Sequence, residues 1–416
     1  MRGDSQCFIE LALEYANCGL YEEASDVIGL LAQNPEDCPA LPAYYQAFFK
    51  IRAGDPAARD WFTSASRREI DNQFSFRPEA LDVFQTALEV NPRDSRAHYF
   101  LGLVYAGFSD LGKAALHWEK AVDIEPANIR VQRNLGLVEL HRDKPGKALP
   151  HYEKAFSLAP NDSRILMELD MTRDRMGVRR EQRLAFLKQH RSTVESRDAL
   201  LTTMLDLMVQ LGEHQEALEV YRTHHFHNWE GRYTIHNAYM EACIGMAEQA
   251  ADPERALEYY RMATLYPENL EVAPREPDLR GFLYYPMVKL YEKAGDQAEA
   301  RRLLEITARE SCEEPTLAAY YQALALRDLG RKDESRGILA GLEAKANQLI
   351  RDEGELPRWD SDKRRALGYF YLSKLREAEG DPDRAKEYLE QALELDHGIA
   401  RQAVVLAQIT FAGSHQ

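Results

Sequence analysis

The stretch SRAHYFLGLVYAGFSDLGKAALHWEKAVDIEP, Ser95 to Pro126, runs without a gap into ANIRVQRNLGLVELHRDKPGKALPHYEKAFSLAP, Ala127 to Pro160, and the second repeats the first at a spacing of 34 residues. Leu101, Gly102, Tyr105, Ala114, Trp118, Ala121 and Pro126 are answered by Leu135, Gly136, Glu139, Ala148, Tyr152, Ala155 and Pro160. Only Tyr105 against Glu139 changes character. Each copy carries two apolar stripes at helical spacing with a turn between them, so each is a helix pair that cannot bury its apolar faces alone. Stacked copies can, and the expectation is an all-α solenoid.

The pattern extends outward in both directions. Gln6 to Pro35 forms a hairpin turning at Gly19, and Leu41 to Arg68 a second turning at Gly54-Asp55-Pro56. Asp55 is placed to cap a helix N-terminus with Pro56 at the first helical position, where a missing N–H costs nothing. The same device recurs at Asp252-Pro253 and Asp381-Pro382, each where the repeat phase calls for the second helix of a pair. Pro78 to Val90 reads as a second helix without a first, and Ile70 to Phe76 as an irregular crossing segment. Asp162 to His190 is a degenerate pair in which Asp170 holds the place of Gly102 and Gly136. A carboxylate cannot be buried unpaired there, so this pair is expected to splay and bend the array. Four more hairpins follow to Leu349, a last runs from Lys363 to Leu395, and Ile399 to Phe411 is expected to cap the final apolar face. The chain divides into two N-terminal hairpins (1–69), an irregular segment with a lone helix (70–94), the regular repeats with the degenerate third (95–194), four further hairpins (195–350), and an acidic loop, last hairpin and cap (351–416). Insertions are expected at 191–196, 228–234, 269–280 and 352–362, and such insertions often carry binding.

The period and its order of Gly, small, aromatic, small and Pro resemble the tetratricopeptide repeat (TPR). That resemblance implies a right-handed superhelix of roughly ten helix hairpins acting as a non-catalytic scaffold for protein partners. In such arrays Arg96, Arg130 and Arg164, which occur once per repeat at one phase, point into the concave groove. There they could read a carboxylate or an acidic segment; the competing reading is three solvated arginines on an acidic protein. Tyr99, Arg133 and Asn134 complete the groove candidates. The carboxylate clamp of chaperone-binding TPR proteins is disfavoured: Asn134 and Arg164 resemble it, whereas Tyr99, Leu103 and Glu168 do not.

Composition excludes several classes. A formal net charge of -16 repels a phosphate backbone, so no nucleic-acid partner is expected. The 5 cysteines include no CxxC pair, which suits reduced thiols and a cytoplasmic setting. No apolar run is long enough to span a bilayer, so no membrane role is expected. MRGDSQCFIELALEYANCGL lacks the layout of a signal peptide, and the amphipathic pattern begins almost at Met1, which leaves room for an upstream domain. Gly107 to Lys113 satisfies GxxxxGK, but Ala114 follows where Ser or Thr is needed and no strand precedes it. His117-Trp118-Glu119, His151-Tyr152-Glu153 and His214-Gln215-Glu216 lack the PCxxC of zinc deaminases, and the first two read as surface residues beside a core aromatic. His224, His225, His227 and His236 are the best metal candidates, set aside because His224 and His225 fall at a helix end, where histidine complements the dipole. No cofactor, metal or catalytic residue is assigned.

Two inter-repeat loops stand outside the period: Phe226-His227-Asn228-Trp229-Glu230-Gly231 and Tyr266-Pro267-Glu268-Asn269-Leu270. Phe226 and Trp229 read first as staples between hairpins. Phe226, His227, Trp229, Glu230, Tyr266, Glu268 and Asn269 are also the loop contact candidates. With Arg133-Asn134-Leu135-Gly136 and the lone helix, these loops resemble the TPR tail of large bacterial proteins whose N-terminal half is a galactose-mutarotase-like β-sandwich of unknown function. The resemblance implies that the Trp229 and Asn269 loops dock a β-sandwich or hold a partner beside it. It also supplies the alternative reading, an accessory domain of a carbohydrate-active protein.

Overall fold

The computed structural model describes residues 5–31, 38–70, 77–227, 234–274, 280–310, 315–351, 358–396 and 398. The protein is 79% helical, with no strand among the described residues. It divides into two compact units, residues 1–201 and 202–416.

In the first unit the hairpins are α1 (Ser5–Asn17) with α2 (Tyr21–Gly29), α3 (Ala40–Ala53) with α4 (Ala58–Ala65), α6 (Ser95–Gly107) with α7 (Leu111–Ile124), α8 (Ile129–His141) with α9 (Pro145–Leu158), and α10 (Ser163–Arg175) with α11 (Arg180–Gln189). Two helices are unpaired, α5 (Glu79–Val90) and α12 (Arg191–Glu195). The 34-residue spacing acts through one recurring joint. Trp118 lies flat on Gly102, where an added Cβ would sit 2.2 Å from the indole nitrogen, and Tyr152 lies on Gly136 in the same way at 2.7 Å. The small residue lets the two helices of a pair approach, and the aromatic of the second helix fills the space above it. The Trp118 indole N–H also donates to Tyr99 O at 3.1 Å.

The lone helix α5 packs between α3 and α6. Phe84 stacks on Phe100 at 5.1 Å and meets Tyr44 edge-on at 5.4 Å, while Tyr44 donates its hydroxyl to Asp94 at 2.7 Å. Asp94 also accepts the Ala97 N–H and so caps α6. Burial raises the Asp94 carboxyl above its usual range despite these bonds. Most of the proposed crossing segment, 71–76, lies outside the described residues.

The second unit holds α14 (His214–Thr223), which follows α13 (Asp198–Gln210), inside which the division falls. Then come α15 (Thr234–Gln249) with α16 (Pro253–Ala263), α17 (Gly281–Ala294) with α18 (Gln297–Arg309), α19 (Leu317–Asp328) with α20 (Lys332–Arg351), and α21 (Arg358–Glu379) with α22 (Pro382–Leu395). The caps expected at Asp252 and Asp381 form, each accepting a backbone N–H of the first turn, from Glu254 and Arg384.

Three expectations need correction. Asp55 accepts the Ala57 N–H at 2.8 Å, but α4 begins only at Ala58, so Asp55 caps the lead-in turn rather than the helix. Residues 191–196 are not a plain insertion, because 191–195 form the short helix α12. The acidic loop is shorter than expected, since α21 is already helical at Arg358. The expected capping helix, 399–411, lies outside the described residues.

At the degenerate pair Asp170 is 1% exposed, yet it is not unpaired. Arg183 of α11 forks onto both of its carboxylate oxygens, at 3.0 and 2.6 Å. The pair splays as expected: α10 packs mainly on α9 rather than on α11. The aromatic phase is kept by Phe186, which packs on Phe156 and His190, while the guanidinium of Arg183 answers the carboxylate.

Candidate functional site

In the second unit, α14 ends at Thr223 and the chain continues extended through His224 (φ −93°, ψ 138°). Phe226 turns inward and is fully buried, its ring 5.8 Å from Tyr221 and 4.6 Å from His224. After α16, Glu268–Leu270 makes a single 3-10 turn. Asn269 then joins the two segments. Its side-chain amide donates to Tyr221 O and His224 O, both at 2.7 Å, and its own carbonyl accepts the Phe226 N–H at 2.9 Å. The two loops singled out in the sequence therefore pack on each other, with Asn269 satisfying the carbonyls left open at the end of α14.

Beside this clasp lies a cleft of about 470 Å³ between α14, α15 and α16. Leu218, Met246, Tyr259 and Met262 are half-buried in it, Tyr221 and Tyr239 form its buried floor, and Pro267 and Asn269 close one end. On the rim Arg222 forks onto Glu219 at 2.8 and 2.6 Å, and the Arg255 guanidinium lies 6.0 Å from the Tyr259 ring. Cys243 of α15 is fully buried, and burial pushes its thiol up to about 12, far from a reactive thiolate.

The remaining loop candidates are placed as follows. Tyr266 stacks on His236 at 4.0 Å with the Arg280 guanidinium 5.3 Å from its ring, and His236 Nε2 lies 2.9 Å from Leu265 O. Glu268 is exposed on the 3-10 turn. His227 is exposed and approaches Glu271. Trp229 and Glu230 lie outside the described residues.

In the first unit, Arg96 donates to Arg68 O at 2.7 Å and Ser66 O at 2.8 Å, so it serves the open carbonyls past the end of α4. Arg130 donates to Ile70 O at 3.2 Å. Arg133 forks onto Glu168, and Arg164 reaches the same carboxylate at 3.4 Å with its side chain 59% exposed. Tyr99 is buried in the core, and Asn134 is half-buried.

Two histidines read as surface residues instead bridge their hairpins. His117 Nδ1 lies 3.0 Å from His98 Nδ1, and His151 Nδ1 lies 2.8 Å from Gln132 Oε1. The GxxxxGK segment is the turn from α6 into α7, where Asp110 caps the Lys113 N–H at 3.0 Å.

Glycine-under-aromatic joints at a 34-residue spacing, in an all-α array of paired helices, define a tetratricopeptide-type α-solenoid. The sequence pattern described as "Tetratricopeptide repeat" matches residues 75–129 and 285–349, and a second pattern of the same description matches 367–397. These stretches are tetratricopeptide repeats. Among solved structures, a MamA is 21% identical, with 38% of this chain and 78% of that chain covered and a TM-score of 0.21. MamA from Desulfovibrio magneticus RS-1 is 18% identical, with coverage of 47% and 97% and a TM-score of 0.28. YrrB, a TPR protein with an unusual peptide-binding site, is 14% identical, with coverage of 53% and 89% and a TM-score of 0.31.

Proposed function

We propose that the protein is a non-catalytic interaction scaffold whose α14–α16 cleft receives an apolar segment of a protein partner. The observation that carries this reading is the cleft itself. Two methionines, a leucine and a tyrosine remain half-open in a recess whose charged lining, Arg222 and Arg255 with Glu219 and Glu258, is balanced, Arg222 being paired to Glu219. Methionine adapts to irregular apolar partners, and a rim without excess charge favours an uncharged insert. Asn269 lines this cleft, which joins one of the loop candidates to it. An acidic segment on the arginines has narrower support, resting on the exposed side chain of Arg164. Docking of a β-sandwich, or contact with a glycan, rests on the Trp229 loop outside the described residues.

Selection of displayed random peptides on the immobilised full chain, followed by fluorescence polarisation of the hits, tests the cleft. Leu218→Glu with Met262→Glu is expected to weaken the selected peptides at least about tenfold, the cost of burying unpaired carboxylates. Peptides that bind the variant as tightly as the native chain would place the partner site elsewhere.

A further inference from the structure

We propose that His225, His227 and Glu271 form a binding site for a divalent transition-metal ion of the zinc class, which clamps the segment after α14 to the turn after α16. The sequence contributes an alternation. In an extended segment successive side chains face opposite ways, so burying Phe226 turns His225 and His227 to the same open side, and both imidazoles are exposed there. Glu271 is presented from the other segment by a turn rather than by alternation. Its neighbours Leu270 and Val272 are 0% and 8% exposed, and Glu271 itself sits in the left-handed region at φ 51°, ψ 39°. A residue with a Cβ holds that conformation only when its surroundings impose it, and such positions cluster at functional sites. The clasp of Asn269 to Tyr221 O, His224 O and the Phe226 N–H fixes the two segments against each other.

The resulting geometry is close to a coordination shell. His225 Nε2 lies 3.1 Å and His227 Nδ1 3.9 Å from the same oxygen of Glu271, and the ligand atoms of all three residues lie within 4.8 Å of one another. Tetrahedral zinc with bonds of about 2.0–2.1 Å holds its ligand atoms about 3.3 Å apart, so side-chain rotations that shorten the separations by up to about 1.5 Å would close the shell. Two imidazoles and one carboxylate select zinc, nickel or copper over magnesium or calcium. This site lies outside the cleft lining and does not depend on the peptide reading.

The test uses the untagged full chain, stripped with chelator and titrated with zinc chloride by calorimetry, with hydrogen exchange as the structural readout. The native chain is expected to bind one equivalent and to slow exchange at the amides of 224–227 and 269–272. Loss of two ligands in His225→Ala with His227→Ala should weaken binding at least about 100-fold, since even partners outside the coordination shell are worth about 10–100-fold. Glu271→Gln should weaken it about tenfold or more. Because these side chains are exposed, circular dichroism of the variants should match the native chain. Equal affinity and stoichiometry in the double-histidine variant would overturn the site, as would no zinc bound by the folded native chain. Binding without slowed exchange would overturn the clamp.

Discussion

Removing Arg183 exposes the physics of the degenerate repeat. Arg183 and Asp170 are 6% and 1% exposed and share two hydrogen bonds, at 3.0 and 2.6 Å. Arg183→Met keeps the length of the side chain and leaves the carboxylate buried without its partner, a loss of ~3–5 kcal/mol. Arg183 also reaches Asp174, whose side chain is 64% exposed, so that contact adds under ~1 kcal/mol. Removing both charges, as Asp170→Leu with Arg183→Met, should cost far less than Arg183→Met alone, because replacing a buried pair by apolar groups ranges from neutral to stabilising by ~1–4 kcal/mol. The expected coupling energy is therefore ~3 kcal/mol or more. Repeat arrays need not unfold in one step, so the appropriate assay is native-state hydrogen exchange of the slowest amides in α10 and α11. If the two substitutions add to within ~0.5 kcal/mol, the ion pair is not what holds this hairpin, and the reasoning fails.

The regular joint gives a contrasting pair. Gly102→Ala puts a methyl 2.2 Å from the Trp118 indole nitrogen and should cost ~1–3 kcal/mol by overpacking, read as a lower thermal midpoint and altered tryptophan fluorescence. Gly146→Ala meets nothing within 4 Å in α9 and should raise stability by up to ~1 kcal/mol. The His98–His117 contact predicts a pH response. Burial, then the charges of His98 and Lys120, push His117 from its ordinary 6.5 down to about 4, and burial also lowers His98. The folded state then holds fewer protons than the unfolded state between those values, so stability is full above pH 6.5 and falls as pH drops toward 4. Discounted for the half-exposed rings, the loss is ~1–2 kcal/mol. Thermal midpoints across that window should flatten in His117→Gln.

The hairpins were legible because each needs the same solution to the same packing problem, and Gly102 with Trp118 states it in two residues. The lone helix was legible for the same reason, since Ala80, Phe84 and Ala87 keep phase. The partner of Asp170 was readable in principle. Arg183 stands 13 residues on, at the place of Ala115 and Leu149 in the regular repeats, and a guanidinium at an apolar position is the complement of a carboxylate at a glycine position. The loops were harder. Asn269 serves carbonyls of Tyr221 and His224, and backbone carbonyls leave no mark in a sequence. Glu271 carried no signal at all: its meeting with His225 depends on where α14 and α16 end, which periodicity fixes only to within a residue or two. The arginines at one repeat phase left two readings open, a groove ladder and three solvated side chains. Two of them serve the carbonyls of 66–70, in the irregular stretch where the repeat lapses.

Asn269 also bears on how such a chain can change length over generations. Cutting out residues 102–135 would join Leu101 to Gly136 and leave the sequence in register, so a repeat of this kind can be gained or lost in one genetic event. Between Tyr221 and Asn269 such an excision carries a cost, because a single amide binds carbonyls 48 and 45 residues behind it. Loss of the hairpin between them would leave the Tyr221 and His224 carbonyls without this partner, a cost of the same kind as losing the Arg130 bond to Ile70 O in the first unit.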